Sequence, residues 1–182
     1  MLAGCQEQET KDAKSELEKG ISSVKQDVED AKNEAMTAVE NDAAAQETKQ
    51  EFQSFKTSTN DFLSDMGKLD DEFQTKYVKE TNVDNAVEYA NNTYIPALEK
   101  GIEKLKNMEV DAAPLQKVNE SSQQYLEARL AAVKEEVQNA EQKGEKMASD
   151  ASAELEKNDA FFNDMKQSLD QLASKLGLSE EK

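Results

Sequence analysis

The chain contains no histidine and no tryptophan, and its 182 residues include one cysteine, two prolines and six glycines. Without histidine there is no Ser-His or Cys-His nucleophile pair, no imidazole general base and no imidazole metal ligand. A lone cysteine builds neither an internal disulfide nor a cysteine-rich zinc site. Di-iron bundles of the ferritin type need Glu-x-x-His pairs and are excluded as well. Arginine is nearly absent: of 22 basic residues only Arg129 is one, which leaves little from which to build planar anion clamps. No apolar run approaches the roughly 20 residues that cross a bilayer as a helix. No Gly-rich phosphate loop and no basic stripe is found. Carboxylate chemistry is what remains, and carboxylates are too abundant here to carry a signal. A hydrolase working through a carboxylate pair has no motif pointing to it. The expectation is a protein without catalysis, metal or cofactor.

What is present is acid and helix. Acidic residues outnumber basic ones 39 to 22, a net charge of −17, which repels nucleic acid and anionic lipid headgroups. No window alternates apolar and polar residues as a strand does. Phe52, Phe55, Thr59, Phe62, Met66, Leu69 and Phe73 recur at 3–4 spacing with Tyr77 four further on, predicting a helix from about 49 to 80. Thr81-Asn82-Val83-Asp84 reads as a stop and restart, with Thr81 and Asp84 as capping side chains. Val87, Asn91, Tyr94, Leu98, Gly101, Leu105 and Met108 mark a third stripe, widened by Ile95 and Ile102. Pro96 falls inside it and predicts a kink one turn earlier, or a break near residues 91–93 with Pro96 in the first turn of a new helix. Residues 109–114 form a turn, with Pro114 at a helix start. The next stripe is Leu115, Val118, Ser122, Tyr125, Leu126, Arg129, Ala132, Val133 and Val137, and Gly144 marks a weak point. A last helix shows Phe162, Met165, Leu169, Leu172 and Leu176, capped by Asn158 or Asp159 and closed by Gly177.

Residues 6–48 differ. They hold 12 acids and 5 lysines and few large apolar side chains, so little can be buried there. Leu17, Ile21, Val24, Val28, Ala31, Ala35 and Ala38 still follow a heptad-like spacing that shrinks to alanine. This predicts a helix that is weakly held, read as a tether, with a thin outer helix of the bundle as the rival. The fold class expected is all-α: an elongated antiparallel up-down bundle of about four main helices over 49–182, preceded by a polar helical N-terminal extension.

The opening residues Leu2-Ala3-Gly4-Cys5 resemble the lipobox of bacterial lipoproteins. The resemblance implies that Leu2, Ala3 and Gly4 guide a signal peptidase. It also implies that Cys5 becomes the first mature residue and carries diacylglycerol on sulfur and an acyl chain such as palmitate on its amino group. The charged and apolar regions of a signal peptide are missing, and Met1 then reads as an added start on a trimmed sequence. A free cysteine near the N-terminus of a cytosolic protein is the bland alternative. Lipid chains at Cys5 satisfy the two-signal requirement for stable anchoring, which an acidic body needs. Residues 94–108 and 115–125, with Ile95-Pro96 in one helix and Tyr125 in the next, are similar to helical-bundle lipoproteins of low-GC Gram-positive bacteria. That likeness implies a bundle and an anchor and no further site.

The expected function is a membrane-anchored, extracytoplasmic module at the cell membrane, structural or binding a protein or envelope partner. A second copy is a further candidate partner, to cover exposed apolar faces. The alternative is a lipoprotein carrying a small apolar ligand inside the bundle, with Phe52, Phe55, Phe62 and Phe73 as core or ligand groove. The acidic run Asp70-Asp71-Glu72, with Asp61 and Asp65 nearby, reads as a solvated helix face, because helical neighbours point apart and no calcium-loop pattern is present. Arg129, inside an apolar stripe, is expected to pair with a carboxylate within the bundle. Tyr89, Tyr94 and Tyr125 are candidate interface anchors.

Overall fold

A computed structural model describes residues 3–40, 45–144, 161–175 and 177–178. Among the described residues every regular element is a helix, and there is no strand. Helix α1 is Ala3–Glu40 and α2 is Ala45–Phe73, which runs on into a π-helical turn, Gln74–Val78. After a short connection α3 covers Val83–Tyr89, a second π-helical turn covers Ala90–Tyr94, and α4 covers Ile95–Lys106. Helices α5, Ala113–Lys143, and α6, Phe161–Lys175, are the last of the described elements.

The ends follow from local chemistry. Asn82 is extended and its side chain accepts from the Asn85 N–H at 3.2 Å, so Asn82 caps α3 in place of Thr81 or Asp84. Thr81 lies one residue too early for that reach, and Asp84 falls in the first turn, where a carboxylate suits the helix dipole. Pro114 stands in the first turn of α5, and Gly144, at φ 67°, ends that helix with its N–H on the Ala140 carbonyl. Gly177, at φ 71°, closes α6 as expected: its N–H meets Ser174 O and the Leu178 N–H meets Ala173 O, the paired bonds of a left-handed cap. The capping positions 158 and 159 and Leu176 lie outside the described residues.

The helix does not break at Pro96. The helix widens by one residue just before it, with the Ile95 N–H reaching back to Ala90 O. A π turn gives the proline ring room against the carbonyl four residues earlier and keeps α3 and α4 in one rod. The same widening closes α2, where the Lys79 N–H meets Gln74 O at 3.0 Å.

The helices pack through their stripes. Helix α5 lies against α1, α3 and α4, and α2 lies against α6 and α1. Every member of the Phe52–Phe73 stripe is buried, Tyr77 with them, as is every member of the α5 stripe. Phe162, Met165, Leu169 and Leu172 of α6 are buried as well. In the third stripe Val87 and Met108 are half-buried, and Asn91 is exposed and donates to Glu141.

Helix α1 departs from a tether. Leu17, Ile21, Val24, Ala31 and Ala35 are buried in the common core, and Val28 is half-buried. The reason is size. A Cβ on Gly20 would stand 3.2 Å from the Tyr125 Cα, so the two backbones meet there without a side chain between them. Small residues bury little area each but permit this approach, and packing then supplies what composition lacks.

Candidate functional site

The most concentrated chemistry in the fold is a group of four side chains at its centre. Asp70 comes from α2, Tyr94 from the second π turn, and Tyr125 and Arg129 from one face of α5, four residues apart. All four are buried, with Arg129 and both tyrosines at 0% exposure and Asp70 at 1%. The Arg129 Nε donates to the Tyr94 hydroxyl at 2.6 Å, and Nη1 donates to the Tyr125 hydroxyl at 2.7 Å. Nη2 forms an ion pair with Asp70 Oδ1 at 2.8 Å, and the Tyr94 hydroxyl donates to the same oxygen at 3.0 Å. Each guanidinium nitrogen thus meets a different group. A buried ion pair is weak as a net stabiliser. Removal of one partner strands the other and costs about 3–5 kcal/mol.

An aromatic column extends from this cage. Phe73 stacks on Tyr77 at 4.8 Å and on Tyr94 at 4.1 Å, so each π turn delivers one tyrosine to the same ring. On the other side the Tyr125 ring lies 4.2 Å from Phe161 and 5.6 Å from Phe162, and Phe162 meets Phe62 edge-on. Burial raises the Tyr94 pKa well above its ordinary value, with Asp70 and Tyr125 adding and Arg129 opposing. Burial likewise raises Tyr77, helped by the charge of Glu136. For Arg129 burial acts downward, but Tyr125, Tyr94 and Asp70 outweigh it and the net direction is up. A guanidinium held by two phenols and one carboxylate fixes geometry, and all four side chains are closed off from solvent in this structure.

Asp70 corrects the expectation of a solvated acidic face. Asp71 and Glu72 are exposed, as are Asp61 and Asp65, but Asp70 points inward. The signal was in the spacing: Asp70 follows Leu63 by seven and Met66 by four, and precedes Phe73 by three, which puts it on an apolar seam. The carboxylate expected opposite Arg129 is this one. Tyr94 and Tyr125 are core residues and not interface anchors; Tyr89 is half-buried.

Phe52, Phe55, Phe62 and Phe73 are all buried. Phe52 borders a hollow of about 90 Å³ that it shares with Ala31, Ala35 and Leu115. An apolar groove of about 230 Å³ runs between α1 and α6, over Val24, Val28, Phe161, Met165 and Leu172, and none of those four phenylalanines lines it. Among the described residues no group of acidic, histidine or cysteine side chains could hold a metal ion. Ala3, Gly4 and Cys5 open helix α1, and Leu2 lies outside the described residues.

No family model, no curated protein and no solved structure matches this chain.

Proposed function

We propose that the protein is a lipid-anchored bundle on the extracytoplasmic face of a bacterial cell membrane, a structural or protein- or envelope-binding module without catalysis. The observation that carries this reading is Leu2-Ala3-Gly4-Cys5, in which the chain's single cysteine stands in the position that lipoproteins acylate. Charge supports it: a body at −17 is not held to an anionic membrane by electrostatics and needs a covalent foot. Among the described residues no helix is long and apolar enough to cross a membrane.

The body is read as an antiparallel up-down bundle of four main helices with α1 laid along it. The order of neighbours supports this. Gly20 meets Tyr125, whereas Ala31 and Ala35 share a hollow with Ala112 and Leu115. Lys56 pairs with Asp170, whereas Gly67 meets Asn163. Both pairs of helices run in opposite directions by that order.

The test is fractionation of cells that express the full-length precursor. The membrane fraction is expected to hold the protein, with a mass raised by the lipid, and Cys5→Ser is expected to release it. Unmodified protein recovered from the soluble cytosol would end the reading.

A further inference from the structure

We propose that the Arg129 cage is a register lock, the device that selects one meshing of these helices from several of nearly equal apolar burial. The stripes that build this bundle are repetitive. Burial of apolar surface has no direction. A slip of α2 by one heptad along its neighbours therefore exchanges one set of phenylalanine, leucine, valine and alanine contacts for another at small loss. The cage is what makes slipped states expensive. Moved by seven residues, Arg129 faces Leu63 or Tyr77 in place of Asp70, and a guanidinium with no exposed surface is left beside an apolar or phenolic neighbour. An uncompensated buried charge is penalised far more than the paired one stabilises.

Three observations converge on this role. The first is the choice of residue. The chain uses lysine at 21 of its 22 basic positions and arginine at the one whose three nitrogens must each meet a different group. An ammonium on a flexible stem cannot present that fork. The second is the origin of the partners: α2, the rod of α3 and α4, and α5 each contribute, so the alignment of all three is read out at one point. The third is the backbone. The extra residue in the Ala90–Tyr94 turn sets the rotation of Tyr94, whose hydroxyl reaches both Arg129 and Asp70. A rod without that residue would turn α3 by about 100° against α4, from 3.6 residues per turn. The cage and the π turn therefore hold each other in place.

The full chain with four replacements, Asp70→Leu, Tyr94→Phe, Tyr125→Phe and Arg129→Met, tests the lock. Helicity and the midpoint of thermal unfolding are expected to match or exceed those of the parent. Amide NMR signals of residues 62–77 and 90–133 are expected to split or broaden, and a dye that reports loosely packed apolar surface should bind. A variant that keeps one sharp set of signals and binds no dye overturns the proposal. So does one that loses its helices, because the cage is then a plain stabiliser. Arg129→Lys is the gentler arm: it keeps the charge and loses the fork. It should split signals around residues 70–94, and an unsplit spectrum overturns the lock.

Discussion

Leu17→Ala decides whether α1 belongs to the core or only leads to it. The side chain is 1% exposed. Its truncation removes about three methylene-sized groups at ~0.8 kcal/mol each, and a residual cavity adds to this, for a cost of roughly 3 kcal/mol. Helix α1 relaxes toward the gap, which holds the expected cost to about 2–3 kcal/mol. For a chain of this size each kcal/mol moves the melting temperature by about 2–4 °C, which gives a fall of roughly 5–10 °C. The assay is thermal unfolding followed by helical circular dichroism. A tether predicts a surface-like effect within about 0.5 kcal/mol. Gly20→Val supplies the opposite perturbation. It drives a branched side chain toward the Tyr125 backbone, where even a Cβ would stand only 3.2 Å from the Cα. Overpacking of this kind costs about 1–3 kcal/mol, more than the gain in helix propensity over glycine returns. Melting temperatures that stay within a degree or so of the parent in both variants would refute the packing of α1.

Other measurements probe separate parts of the fold. Asn82→Ala removes the acceptor for the Asn85 N–H and is expected to cost about 1 kcal/mol, read from denaturant midpoints; no change would mean that water serves the cap equally well. Partial burial pushes the Asp170 carboxyl up, but hydrogen bonds and charge from Lys56 and Lys166 outweigh it and hold its pKa below the ordinary value. Stability from this depressed pKa is present above the unfolded value, about 4, and is lost as pH falls through the folded one. Lys56→Met should therefore differ most from the parent near neutral pH and converge with it in acid; a gap that persists in acid would contradict the assignment. Tyr77 and Tyr94 are raised, so their contribution is complete below about pH 10 and is lost as pH climbs toward the folded values. Tyrosinate absorbance should rise together with loss of helix in alkali, and ionisation of all four tyrosines at the free-peptide value in an intact bundle would refute their burial.

Most of the helices were legible because each carries a stripe at 3–4 spacing that burial in a bundle requires. The interior partner of Arg129 was legible as a class, since a lone arginine inside an apolar stripe needs a carboxylate. Its identity was obscured by sequence neighbours: Asp71 and Glu72 made Asp70 look like part of an acidic surface, although its distance from Leu63, Met66 and Phe73 placed it on the seam. The π turns were not legible. Pro96 announces a disturbance, but a widened turn was selected over a break by contacts that Tyr94 makes with residues 24 and 35 positions away. Helix α1 was left between a tether and a thin outer helix for a related reason. Glycine and alanine look poor as core formers one at a time, and their value lies in how close a partner backbone can come, which only the partner determines. The anchor is a matter of four residues and their likeness to a processing signal, outside what packing can address.

The solitary buried guanidinium also makes the chain its own reporter of opening. A protease that cuts only after arginine has one target here, sealed at the centre of the molecule while lysines stud the exterior. Cleavage into two fragments, after residue 129, can proceed only through molecules whose interior has come apart. At protease levels where reclosing outpaces cleavage, the rate of that single cut tracks the open population, with no label and no added tryptophan.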